Sequence, residues 1–234
     1  EDKEEEEKEE EDSDQKTGLG RLVIMSPSEV LSKAECDWCV EQTEKQAKAN
    51  AALAGAGGKG DGEASGWTTA RHYAVPTTDM PMHAVPALLP WFRALCRGRI
   101  FPLLTRLYPH LSAPDGSHIR INDAFVVKYE FAAGQRHLPL HVDQSELSLT
   151  IALNGQCDDS EGGGEGGEAL TFGGLTFGGG GTYFESLGKA LVPEAGGLVA
   201  FPGDLSHGGM PITRGTRYII ACFLYTHPSV TTSK

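Results

Sequence analysis

The side chains of this sequence best suited to chemistry are His141 and Asp143, read together with His207 and Arg217. In an extended strand, positions i and i+2 project to the same face, so His141-Val142-Asp143 presents an imidazole and a carboxylate to one point in space. Both groups are metal ligands. A second imidazole from a distant strand would complete a set of two histidines and one carboxylate, which occupies one face of an octahedral ion and leaves three positions open. Among the eight histidines, His207 is the candidate for that role. It stands in Phe201-Pro202-Gly203-Asp204-Leu205-Ser206-His207-Gly208-Gly209, a tight turn after an apolar strand, where a polar side chain has no core-packing purpose. Ten residues later Arg217 begins the final strand. A guanidinium on the wall of an apolar pocket wants a carboxylate, and no acid nearby in sequence is committed to it, so a ligand is the expected partner.

The remaining candidates are plainer. His72, His83, His110, His118 and His227 read as surface or internally satisfied residues, the ordinary situation of histidine, whereas His137 is close enough to line the entrance of the site. Thr150 shares the inward face of its strand with Ala152 if alternation holds, where it either touches a ligand or is an ordinary strand threonine. Gly178 to Gly181 do not make a phosphate loop, because no Lys-Ser/Thr follows and no helix is opened. Of the five cysteines, Cys36 and Cys39 form the single CxxC. No second pair stands at zinc-ribbon spacing, so both read as partly buried free thiols on a helix.

The elements that must position these residues follow from composition and periodicity. The 234 residues, 39% hydrophobic and 22% charged, suffice for one domain with a real core. No stretch approaches the roughly 20 apolar residues of a membrane helix, and the leading EDKEEEEKEEEDSD is the opposite of a signal peptide. Of the formal charge of −12, residues 1–14 carry −9, with eleven acids and two lysines. Residues 1–16 are therefore expected to be a disordered acidic tail. The near-neutral remainder shows no basic stripe, which argues against nucleic-acid binding. Ser32-Lys33-Ala34-Glu35 is a capping box for a helix to about Ala49 with Ala34, Trp38 and Val40 on one side, and Asn50 to Gly66 reads as a loop. Leu88, Trp91, Phe92, Leu95, Ile100, Leu103, Leu104 and Leu107 have helical spacing, divided by Pro90, Gly98 and Pro102 into two helices. Past residue 120 come short β-rich runs separated by Gly and Pro turns. The last run is apolar on both faces, so an opposing sheet must cover one face and the helices the other, an α+β arrangement. The tandem LTFGG-LTFGG at 170–179 reads as a lengthened loop before the strand at Thr182.

The segments FVVKYE, LPLHVDQSELSLTIALN, FGGGGTYF, GLVAFPGDLSHGG and PITRGTRYIIACFLY, in this order, closely resemble the catalytic domain of iron- and 2-oxoglutarate-dependent prolyl and lysyl hydroxylases, with the C-terminal domain of procollagen lysyl hydroxylases the nearest likeness. LSKAECDWC is similar, less specifically, to the N-terminal support of prolyl 4-hydroxylases. The resemblance implies a double-stranded β-helix, or jelly roll, with supporting N-terminal helices. It divides 17–234 into a helical support at 28–110 and a β core at 120–226. It makes His141, Asp143 and His207 the Fe(II) ligands and Arg217 the binder of the far carboxylate of 2-oxoglutarate. Tyr129 hydrogen-bonds the same cosubstrate, and Thr150 is its further candidate contact. Collagen-type prolyl 4-hydroxylases usually carry Lys at the Arg217 position, so arginine leans toward lysyl hydroxylases or oxygen-sensing-type prolyl hydroxylases. The departures are a longer 155–180 loop and one extra residue between Tyr129 and His141.

The activity implied is hydroxylation of a peptidyl proline or lysine with O2, decarboxylating 2-oxoglutarate to succinate and CO2 and using ascorbate to restore oxidised iron. A peptide or protein is the expected partner, and loops 50–85 and 155–180 are the expected substrate selectors. Two rival readings are the same chemistry on a small metabolite or modified base, and an inactive metal-binding module that recruits a partner through its acidic tail. The complete triad together with Arg217 weighs against the second of these.

Overall fold

A computed structural model describes residues 23–26, 29–56, 65–72, 74–109, 116–132, 134–157, 170–171 and 174–227. The acidic run at 1–14, His110 and residues 158–169 of the long loop lie outside the described residues.

Helix α1 (Lys33–Ala56) begins where the capping box places it. The Glu35 N–H donates to the Ser32 hydroxyl at 3.3 Å, and the Ser32 N–H donates to the Glu35 carboxylate at 2.9 Å. The Arg99 guanidinium also binds that carboxylate and holds its pKa down to about 2. The helix buries Cys36, Cys39, Thr43 and Ala47. The sequence had suggested a face made by Ala34, Trp38 and Val40, but Ala34 is exposed and the other two are half-buried at the margin. Thiols pack as small hydrophobes, and Thr43 enters the interior because its hydroxyl donates to the Cys39 carbonyl at 2.8 Å. The helix also runs seven residues beyond Ala49, into what had been read as loop, because its alanines favour helix strongly.

After β1 (Ile24–Met25), α1 and β2 (Asp79–Pro81), the chain forms α2 (Leu88–Leu95) and α3 (Phe101–Leu107), joined through a π-helical turn at Cys96–Ile100. Pro90 and Pro102 lie in first turns, where a missing N–H costs nothing. The division between the helices therefore falls at the turn holding Gly98.

The strands are β3 (Ile119–Glu130), β4 (Leu138–His141), β5 (Leu147–Ala152), β6 (Leu170–Thr171), β7 (Gly174–Leu175), β8 (Phe177–Gly179), β9 (Thr182–Phe184), β10 (Lys189–Leu191), β11 (Leu198–Pro202), β12 (His207–Gly209) and β13 (Ile212–Thr226). The larger sheet has the order β1-β11-β5-β13-β3-β2, and the smaller β10-β9-β12-β4; every pairing within them is antiparallel. This is the expected α+β architecture with a jelly-roll core. The second LTFGG unit is a strand rather than loop: β8 pairs with the start of β13, Phe177 opposite Gly215.

The two faces of β13 are covered as its composition requires. Tyr218, Ile220, Cys222 and Leu224 share one core with Leu88, Phe92, Ile100 and Leu104 of the helices. Ile219 and Ala221 share another with Phe125, Val127 and Tyr129 of β3, on the inner side. Ile220 is 0% exposed at the centre of the helix-facing layer. Ile220→Ala is expected to cost about 2–5 kcal/mol through lost burial and the cavity left behind, to be read from the urea midpoint.

Candidate functional site

His141 ends β4, the edge strand of the smaller sheet, and stands directly opposite His207 of β12. This register brings the two imidazoles to a centroid separation of 4.4 Å. Each ring is oriented by its own backbone: His141 Nδ1 lies 2.8 Å from the Pro139 carbonyl and His207 Nδ1 2.9 Å from the Leu205 carbonyl. A carbonyl can only accept, so Nδ1 is the donor in both rings, and in the neutral tautomer each Nε2 keeps a lone pair for a ligand. Phe184 and Phe201 enclose the His207 ring, and burial pushes its pKa down, which favours the neutral form.

Asp143 completes the set. His141 Nε2 is 3.6 Å from Asp143 Oδ1, and His207 Nε2 is 3.5 Å from Oδ2. The three donor atoms all lie within 4.8 Å of one another. In the neutral tautomer two nitrogen lone pairs and a carboxylate converge on one point, an arrangement that a bound cation makes favourable. The residues present therefore fit a divalent metal held by two neutral histidines and one carboxylate.

Asp143 is itself held in place. Its N–H donates to the Gly203 carbonyl at 2.8 Å, and the Ser148 hydroxyl donates to its Oδ2 at 2.5 Å. Position 203 must be glycine, because a Cβ there would sit 2.2 Å from the Ser145 carbonyl oxygen. Sequence reasoning missed Ser148, although the alternation that turns Thr150 inward turns Ser148 inward as well. Ser148→Ala frees Asp143 to rotate, and is expected to weaken metal binding by about 10–100-fold, as measured by titration with Mn(II) or Co(II).

The triad opens into a cavity of about 520 Å³, which Tyr129 and Thr150 also line. Arg217 lies just beyond its inner end. Its side chain is 3% exposed and its guanidinium is packed 5.3 Å from the ring of Tyr129, its cross-strand partner, and 5.8 Å from the ring of Phe177. The one hydrogen bond it makes among the described residues is a long one, Nη1 to the Gly181 carbonyl at 3.4 Å, and no carboxylate there pairs with it. Gly181 adjoins Thr182, which lines the cavity. Burial pushes the Tyr129 phenol pKa up, so its hydroxyl remains a donor. Phe177 had no role in the sequence reading. Gly180, at φ +75°, lets the chain between β8 and β9 lie on the arginine, since a Cβ there would meet the Phe177 ring at 3.0 Å and Arg217 Cδ at 3.3 Å.

Five of the six sequence-predicted site residues therefore line one cavity, and the sixth abuts it. His137 does not line it and is exposed. His72, read as an ordinary histidine, does line it. Cys36 and Cys39 are free and fully buried, with burial pushing the Cys36 thiol up to about 12, as expected of inert core thiols.

Comparison with known proteins agrees with this geometry. Residues 124–225 match the 2OG-Fe(II) oxygenase superfamily. The chain is 31% identical over 152 residues to procollagen-lysine,2-oxoglutarate 5-dioxygenase 1 of Rattus norvegicus, covering 64% of this chain and 18% of that protein. It is 31% identical over 155 residues to the multifunctional procollagen lysine hydroxylase and glycosyltransferase LH3 of Homo sapiens, again covering 64% and 18%. The chain thus spans less than a fifth of the length of these relatives. Its fold is similar to the 2OG complex of the viral collagen prolyl hydroxylase from Paramecium Bursaria Chlorella virus-1, with a TM-score of 0.53 and 16% identity over 89% of this chain and 98% of that one. His141, Asp143 and His207, which converge as a candidate metal site, all lie within residues 124–225, the stretch that matches the 2OG-Fe(II) oxygenase superfamily.

Proposed function

We propose that the chain hydroxylates a peptidyl proline or lysine, using Fe(II), 2-oxoglutarate and O2, with ascorbate keeping the iron reduced. The observation that carries the proposal is the pairing of three convergent donor atoms with a buried arginine that no carboxylate among the described residues pairs with, just beyond the inner end of the same cavity. When bound, the metal and cosubstrate would supply oxidation of an unactivated C–H bond, coupled to decarboxylation of 2-oxoglutarate to succinate and CO2, which no side chain can perform alone.

The chain's own residues define where each participant sits. His141 and His207 present Nε2 because their Nδ1 protons are committed to backbone carbonyls, and Ser148 orients the Asp143 carboxylate. Arg217 supplies the positive charge for a dicarboxylate at the inner end, with the Tyr129 hydroxyl as a neutral donor beside it and Thr150 on the wall. The apolar wall of Ile219, Ala221 and Val127 excludes water and strengthens those polar contacts. The peptidyl substrate is supported by the lysine-hydroxylase relatives named above. The test is mass spectrometry of proline-rich and lysine-containing peptides after incubation with Fe(II), 2-oxoglutarate and ascorbate. A product heavier by one oxygen atom, formed with succinate, supports the proposal. Succinate formation with no oxidised peptide refutes the peptidyl substrate.

A further inference from the structure

The outer wall of the cavity comes from outside the matched residues 124–225: Arg71, His72, Ala74, Val75 and Thr77 line it opposite the inner-face strands. These residues belong to a loop closed on itself. Thr68 N–H donates to the Asp79 carbonyl at 3.0 Å and Asp79 N–H to the Thr68 carbonyl at 2.9 Å. The Asp79 side chain, 0% exposed, pins the loop from within. Its Oδ1 accepts from the Thr68 hydroxyl at 3.1 Å and from Arg71 Nη1 at 2.7 Å, and its Oδ2 accepts from the Thr77 hydroxyl at 2.5 Å. The other arm of Arg71 binds Asp123 on β3, which ties the loop to the sheet. A single buried carboxylate thus fixes three residues of the loop, a degree of order that an incidental connection between elements does not need.

What this rigid loop holds against the cavity is His72. Its ring lies 4.7 Å from the Phe125 ring and 6.3 Å from that of Phe223, which are themselves 5.5 Å apart. Phe125, Phe223 and His72 therefore form an aromatic cluster on the wall of the cavity that also contains the metal triad. His72 Nε2 is buried without a hydrogen-bond partner, 3.6 Å from Asp79 Oδ2. The ring is accordingly oriented by packing and not locked by a short hydrogen bond. Arg71 is already matched by two carboxylates, Asp79 and Asp123, so among the described residues of this wall these three groups leave a net negative charge.

We infer that the loop residues Arg71, His72, Ala74, Val75 and Thr77 form the specificity-determining wall of the site: His72, with Phe125 and Phe223, meets the substrate side chain that is to be oxidised, and Asp79 is the positioning residue that holds His72 there. The inference rests on the peptide-hydroxylase reading above. The chemistry of the wall fits an aliphatic side chain, neutral or cationic, laid against ring faces, and disfavours a target flanked by carboxylates.

The test uses the full chain and a peptide oxidised by it, comparing His72→Ala, His72→Phe and Asp79→Asn. His72→Ala is expected to raise the peptide KM by about tenfold while changing kcat by less than about threefold, the signature of a lost ground-state contact. His72→Phe keeps a ring face and should recover most of the loss. Asp79→Asn should raise the same KM part of the way. Calorimetric titration of 2-oxoglutarate into the Mn(II)-loaded variants separates a local effect at the wall from a loosened cavity. An unchanged peptide KM in His72→Ala overturns the assignment, as does a rise in the 2-oxoglutarate Kd that parallels the peptide KM. If the parent chain consumes 2-oxoglutarate but oxidises no peptide, the peptide reading itself fails, and the assignment falls with it.

Discussion

Replacing His141, Asp143 or His207 by alanine is expected to abolish 2-oxoglutarate consumption, by on the order of 10³-fold or more, because two remaining ligands neither hold nor orient a divalent ion. The effect should be equal at the three positions despite their different surroundings. Each contributes one of three donor atoms lying within 4.8 Å of the others. The fold should survive. The checks are succinate formation, metal content after dialysis, and thermal unfolding in chelator. Near-normal succinate formation in any one variant removes that residue from the metal site.

Arg217→Ala is expected to weaken 2-oxoglutarate binding by roughly 30- to 800-fold, equivalent to about 2–4 kcal/mol for a charge-assisted contact in a desolvated setting. Metal binding should change far less, since Arg217 touches none of the three ligands. Lysine should restore part of the affinity, because it supplies the charge without the planar fork. Stability should respond in the opposite sense to affinity. Burial already pushes the Arg217 pKa down, and no carboxylate among the described residues compensates the charge. Arg217→Met, which fills the volume and removes the unpaired cation, is therefore expected to unfold at a temperature no lower than the parent without cosubstrate. Calorimetry with 2-oxoglutarate and scanning calorimetry without it read the two effects separately. An unchanged cosubstrate affinity in Arg217→Ala would make another cation the partner.

Some of this protein was legible in the chain because the physics involved is local. A capping box satisfies helix N–H groups within four residues, so Ser32 and Glu35 announce the start of α1 wherever it packs. A strand apolar on both faces must be covered on both, as β13 is; the alternation expected to carry Asp143 stops with β4 at His141, and Asp143 reaches the same point from just beyond the strand. His207 and Arg217 were picked from their setting in the chain, and the resemblance of 125–225 to known hydroxylases added the roles it implies for them. The end of α1 was missed because alanine runs carry no stop signal, and its buried face was misjudged because Cys36, Cys39 and Thr43 are weak hydrophobic markers that the interior nevertheless accepts.

The sequence by itself determined the donor types and the absence of an acid near Arg217 in the chain. The tertiary structure alone decided which atoms face the metal site, since the Nδ1 protons are claimed by carbonyls that only strand register places nearby. It also decided that Phe177 packs on Arg217, that Ser148 holds Asp143, and that a loop from the N-terminal half brings His72 to the cavity. Each of these joins residues from separate elements, and Asp79 reaches Arg71, Thr68 and Thr77 only because the chain between them closes on itself. Periodicity registers which face of an element is buried; it carries no information about which other element arrives to cover it.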